Sequence, residues 1–158
     1  MRVKKTQPSK LDTRNCYTVS LAVHHPVWPV SRITAALGWD PDVSWNAGYE
    51  HRHPKIGALL NVRKTTYWCL SNQVEGERLF FREFVRVINW LITRKTFLDE
   101  LQATGGDVAV NIGLLGSHNI GSSLGPDHIR AAADLGITLG IEVFPKMNPR
   151  TPRLVPWT

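Results

Sequence analysis

Apolar and polar positions alternate with period two at three places in the chain. From Cys16 to His24, Val19, Leu21 and Val23 interleave with Thr18, Ser20 and Ala22, the pattern of a strand buried on one face. Asp107–Leu115 repeats it with Val108, Val110, Ile112 and Leu114, and the last run uses Ile137, Leu139, Ile141 and Val143. Thr65–Leu70, TTYWCL, is rich in β-branched and aromatic residues and predicts a further strand. Val43–Ala47 predicts a short one. Residues 48–64 have no clear period, with two glycines and a proline, and predict an irregular segment.

The helical period appears between these runs. Ile33, Ala36 and Leu37 follow Pro29, which suits a first helical turn, and Gly38 suits the left-handed residue that ends a helix. From Glu77 onward Phe81, Phe84, Ile88 and Leu91 recur at three- and four-residue spacing, the strongest helix signal in the chain. Phe97, Leu98 and Leu101 predict a second helix after a bend near 94–96, with Thr96 and Asp99 placed like a capping box and Gly105-Gly106 closing it. Pro126 and Asp127 open a last helix carrying Ile129, Ala132, Ala133 and Leu135, and Gly136 stops it.

Two segments share one grammar. VSLAV, a histidine loop, Pro29, ITAALG and a strand are echoed by VAVNIGLL, a loop with His118, Pro126, IRAAADLG and a strand. Each reads as a strand–helix–strand crossover with an alanine-rich helix that can lie close on a sheet. The expected fold is therefore α+β: a two-layer sandwich of a mixed sheet with helices on one face and pseudo-duplicated βαβ halves, ferredoxin-like or related. If the halves share an edge, both strand-to-helix loops emerge together. His24, His25 and Trp28 would then meet His118, Asn119 and the helix start at Pro126.

Length and composition bound this picture. A chain of 158 residues fits one domain that can bury a core without disulfides. The expected organisation is a disordered basic lead at 1–14, one domain at 15–145, and a Pro-rich basic tail at 146–158. The net charge of +6 divides unevenly. Arg2, Lys4, Lys5, Lys10 and Arg14 against Asp12 give the lead +4, and Lys146, Arg150 and Arg153 give the tail +3, so the body carries −1. A nucleic-acid groove needs basic residues on the folded surface, so only weak binding through the tails is expected. No apolar run is long enough for a membrane span, and the basic N-terminus lacks an apolar signal core. Cys16 and Cys69 make no disulfide framework and predict free buried thiols in a reducing cytoplasm.

The blocks VSLAVHHP, ITAALGWDPDVSWNAG, YWCLS, GGDVAVNIG and GITLGIEVFP resemble the bacterial domain of unknown function 4279 family. The resemblance covers roughly residues 16–145. Its most specific parts are Leu37, Gly38, Pro41, Trp45 and Gly48 with the Tyr67-Trp68 pair. It implies a small α+β fold and brings no reaction, cofactor or catalytic residue.

Candidate chemistry is sparse. His24-His25, His51 and His53 are close in sequence, but there is no Cys-x-x-Cys or His-Glu-x-x-His, and solvated loop histidines are the expectation, without metal or cofactor. The loop from Gly116 to Gly125 has neither a Gly-x-Ser-x-Gly nor a Walker lysine. Trp68 and Trp90 belong to the core by their places in strand and helix. Trp28, Trp45 and Tyr49 flank irregular segments, where exposed aromatics suit protein interfaces. The sequence thus predicts a protein-binding module, of the kind an immunity protein represents, with His24, His25, Trp28, Trp45, Tyr49, His118 and Asn119 as binding residues. The alternative is an enzyme or small-ligand or metal-binding protein using the loop histidines.

Overall fold

The structure is a computed structural model that describes residues 16–75, 80–115 and 121–144; the basic lead and the Pro-rich tail lie outside the described residues. Seven strands and four helices follow in the order β1 (Cys16–His25), α1 (Val30–Leu37), β2 (Val43–Trp45), β3 (Glu50–Arg52), β4 (Leu59–Val62), β5 (Thr66–Glu75), α2 (Phe80–Ile92), α3 (Lys95–Ala103), β6 (Asp107–Leu115), α4 (Pro126–Asp134) and β7 (Ile137–Phe144).

Five strands form one sheet in the order β2-β5-β1-β6-β7. β1 is antiparallel to both β5 and β6, β2 is antiparallel to β5, and β6 and β7 are parallel. β1 and β2 therefore run the same way with β5 between them, and β5 and β6 run the same way with β1 between them. These two crossovers, β1–α1–β2 and β5–α2–α3–β6, interlock as the split βαβ units of a ferredoxin-like sandwich. The unit β6–α4–β7 adds one more parallel strand at the edge. Both segments with the shared sequence grammar are strand–helix–strand crossovers. Their strands differ in spacing: β6 and β7 are neighbours, whereas β5 separates β1 from β2.

Strand parity decides which side chains enter the core. Tyr17, Val19, Leu21 and Val23 of β1, Trp68 and Leu70 of β5, and Val108, Val110, Ile112 and Leu114 of β6 all point to one face. There they join Ile33 and Leu37 of α1, Phe84, Val87, Ile88, Trp90 and Leu91 of α2, Leu98 and Leu101 of α3, and Ala132 of α4 in a single buried cluster. The helices thus share one layer. Trp68 and Trp90 are core residues, and Trp68 Nε1 donates to Thr34 Oγ1 at 3.1 Å, so its indole is satisfied where it is buried.

Several local expectations hold. Gly38 takes the left-handed conformation at φ 76°, and Pro126 occupies the first turn of α4. The bend after α2 falls between Ile92 and Lys95. Others change. Pro29 is the extended residue before α1 rather than its first turn. Arg94 precedes α3 without a side-chain cap, so Thr96 sits inside the helix and forms no capping box. Residues 48–64 are not irregular: β3 and β4 pair as an antiparallel hairpin. Its exposed strands lack the one-sided burial that creates a readable period. β5 also runs to Glu75, well beyond the apolar run, because β1 pairs with it along its whole length.

Candidate binding surface at one end of the sheet

Consecutive residues of a strand face opposite ways, so His24 and His25 belong to different surfaces. His25 is in phase with Val19, Leu21 and Val23 and is only 1% exposed. Its Nδ1 accepts the backbone N–H of Val27 (3.1 Å) and of Trp28 (2.9 Å). Its Nε2 lies 3.0 Å from Thr104 Oγ1, whose own hydroxyl donates to the Glu100 carbonyl at 2.7 Å. The ring is therefore neutral with the proton on Nε2, the one form that satisfies all three contacts. Trp28 stacks on it at 4.4 Å, and the Arg32 guanidinium covers the indole at 3.6 Å. Burial and the nearby Arg32 charge both push the His25 pKa down from its ordinary value. Trp28 is 5% exposed. His25 and Trp28 therefore lock the turn from β1 into α1, and the expectation of an exposed loop pair is corrected by the parity of β1.

His24 faces the other side of the sheet, where no described helix packs. A row of side chains crosses four strands there. Trp45 of β2 stacks on Tyr67 of β5 at 4.5 Å, Tyr67 meets His24 of β1 at 4.8 Å, and His24 Nδ1 lies 3.2 Å from Asp107 Oδ2 of β6. The register requires it: Trp45 pairs with Tyr67, Tyr67 with His24, and His24 with Asp107. The ring separations match the spacing of about 4.8 Å between neighbouring strands; Trp45 and Tyr67 stack, and His24 lies tilted against Tyr67 at 38°. Arg63, at the base of the hairpin, covers the outer face of Trp45 at 4.2 Å. Burial pushes the Tyr67 phenol well above its usual range, and a hydrogen bond with the neighbouring Cys69 thiol adds to it. The result is a connected ridge in which Trp45 lies between Arg63 and Tyr67, and Tyr67 between Trp45 and His24.

Next to the ridge on this face Ser20 and Ser71 share a hydrogen bond of 2.9 Å, with Ala22, Cys69 and Ala109 beside them, and toward the far end Thr18 and Phe144 stand over Gly113. Cys69 is a free, buried thiol, as the sequence predicts.

The hairpin grows from the same end. Gly48 N–H donates to the Arg63 carbonyl and Arg63 N–H to that of Tyr49, closing its base. Asn46 Oδ1 accepts the Val30 N–H at 2.8 Å, tying the segment before it to the start of α1. Tyr49 is exposed at this base. Five of the sequence-derived residues, His24, His25, Trp28, Trp45 and Tyr49, thus gather at one end of the sheet, divided between its two faces.

His118 and Asn119 lie outside the described residues. The expected meeting of the two strand-to-helix loops is overturned by the register. β6 is antiparallel to β1, so Leu115 pairs with Cys16 while His24 pairs with Asp107. The loop after β6 leaves the end of the sheet away from His24, about 30 Å along the strand. A cavity of about 290 Å³ opens at that far end between Phe81, Arg82 and Val85 of α2 and Ser122, Ser123, Leu124 and His128.

Arg63 and Asp107 had no sequence signal of their own, and Tyr67 had only its place in the Tyr67-Trp68 pair of the family resemblance. Only strand pairing, which joins residues up to 83 positions apart, places Tyr67 and Asp107 beside His24. Among the described residues no three His, Cys, Asp or Glu side chains converge as a metal site would require. No described helix is long and apolar enough to cross a membrane.

These features define a two-layer α+β sandwich of ferredoxin-like order with one sheet face that no described helix covers. Residues 14–144 match the family described as a domain of unknown function, DUF4279, and the chain belongs to it. No curated protein and no solved structure matches the chain.

Proposed function

We propose that the protein is a binding module that recognises another protein through the open face of its sheet. The observation that carries this reading is the ridge Arg63–Trp45–Tyr67–His24–Asp107, which crosses four strands where no described helix packs. Its side chains are held by one another, so a partner can bury them with little further loss of rotamer freedom, the property that makes preorganised aromatic and Arg groups strong interface anchors. Trp45 and Tyr67 each have a neighbour on both sides, which disfavours a ligand that must slide between aromatics, such as an unstacked base.

A photo-crosslinking residue at Val43, exposed on this face, tests the reading in the cells that make the protein. A discrete protein adduct is expected, lost on Trp45→Ala and absent when the probe replaces Asn89 on the outer side of α2. Equal adducts from both positions, or none from Val43, would refute it.

One observation favours a second reading, an enzyme. The Asp107 carboxylate lies 3.2 Å from Nδ1 of the part-exposed His24, the pairing that orients a histidine general base. Under that reading His24→Ala and Asp107→Asn both abolish a turnover that Trp45→Ala spares. The cavity of about 290 Å³, the natural place for a small substrate, contains neither His24 nor His25.

A further inference from the structure

The hairpin β3–β4 is exposed on both faces. Ile56, Leu59, Leu60 and Val62 are 74%, 50%, 53% and 49% exposed, with Tyr49 at the base also in solvent. A two-stranded hairpin alone in water is marginally stable, so a segment carrying this much apolar surface calls for a cover. Among the described residues β4 pairs only with β3, and no described strand lies on its other backbone edge.

The opposite edge of the main sheet shows the matching feature. Among the described residues β7 pairs only with β6. Its core-side residues Ile137, Leu139, Ile141 and Val143 rise in exposure from 9% to 37%, 53% and 67%, because α4 covers the start of the strand and not its end. Ile129 of α4, the helix that packs on β7, is also exposed. An apolar strand with an unpaired edge is a template for another strand.

Charge says which surface fits which. Residues 48–64 carry Arg52, Lys55, Arg63 and Lys64 against Glu50, net +3, while residues 121–144 carry Asp127, Asp134 and Glu142 against Arg130, net −2. Hairpin against hairpin, or β7 against β7, sets like charges together. Hairpin against β7 sets opposite ones together.

We propose that the hairpin of one copy of this chain docks on the β7 edge and the adjoining α4 strip of a second copy. The two surfaces lie at opposite edges of the molecule and differ from each other, so the contact is heterologous and propagates head to tail, into rings or open chains. It is separate from the ridge and does not depend on the partner proposed above.

Sedimentation velocity on the full chain tests this. The wild type is expected to associate with concentration into species beyond the dimer. Raising salt from about 50 to about 500 mM should weaken association about tenfold, since exposed charges are screened. Leu60→Lys and Ile141→Lys, both at exposed positions, should each sediment as monomers when alone. Mixed together they should form a 1:1 heterodimer and nothing larger, because each supplies the surface the other lacks. Circular dichroism checks that each variant folds, and Val62→Lys and Val143→Lys replace either one that does not. A wild type that stays monomeric, a variant that still self-associates, or a mixture that does not combine would each overturn the proposal. An isologous β7–β7 dimer would show itself by persisting in Leu60→Lys.

Discussion

Replacing His25 by alanine removes an acceptor from two backbone donors at once. The N–H of Trp28 is buried and that of Val27 partly so. A buried donor left without a partner costs about 1–3 kcal/mol. Loss of the ring also ends the stack on Trp28, worth about 0.5–1.5 kcal/mol, and opens a void beside it. The expected destabilisation is about 3–5 kcal/mol, a large share of the roughly 5–15 kcal/mol that holds a domain of ordinary stability. His25→Asn separates the contributions. Asparagine Oδ1 can stand where Nδ1 stands and accept from residues two and three positions on, as in a capping turn. It cannot reach Thr104 or stack, so about 1–2 kcal/mol should be lost.

The assay for these variants is urea unfolding at neutral pH, followed by tryptophan fluorescence and circular dichroism. The same variants carry a pH signature. The folded-state pKa of His25 is lowered below the ordinary 6.5, so the unfolded chain takes up the proton first as pH falls. The contribution of His25 is therefore complete above about pH 6.5 and is lost as pH falls through that value toward the folded pKa. His25→Asn should remove this slope, and the wild-type-minus-variant difference isolates it from the other histidines. A His25→Ala cost below about 1 kcal/mol, or a difference independent of pH between 7 and 5, would refute the account of His25 as a neutral, fully bonded lock.

Gly106→Ala should destabilise by about 1–3 kcal/mol in urea melts, because a Cβ there would lie 2.7 Å from Leu101 Cγ and 2.8 Å from His25 Cδ2. In the core, Asn72 Nδ2 donates to the buried Glu83 carboxylate at 2.7 Å; Asn72→Ala should cost about 2–4 kcal/mol by leaving that charge poorly solvated, and Arg86→Ala, which removes the cation beside the same buried carboxylate, should cost more than the roughly 1 kcal/mol of a pair exposed at both ends in the same melts. Arg63→Ala should speed hydrogen exchange at the hairpin amides and leave those of β1 and β6 unchanged, because the guanidinium over Trp45 is worth about 0.5–1 kcal/mol and acts only at the hairpin base.

Residues whose burial alternates on one strand face announced themselves. The sequence by itself determined β1, β6 and β7, because each repeats an apolar residue every second position. It determined α1 and α4 through their Pro starts and glycine stops, and α2 through a helical stripe strong enough to read alone. It also held an unread signal. His25 lies in phase with Val19, Leu21 and Val23 and His24 lies out of phase, so parity alone assigns one to the core and the other to the open face.

What the tertiary structure decided is which elements are neighbours. Periodicity is a local property, whereas strand order depends on how separate runs share one core. That is why β5 lies between β1 and β2, why β6 runs against β1, and why the loop after β6 leaves the end remote from His24. The ridge follows from the same cause. Trp45, Tyr67, His24 and Asp107 come from four strands, and nothing in their spacing along the chain brings them within one strand width of each other. The hairpin was invisible for the opposite reason: with both faces in solvent, no burial imposes a period on its sequence.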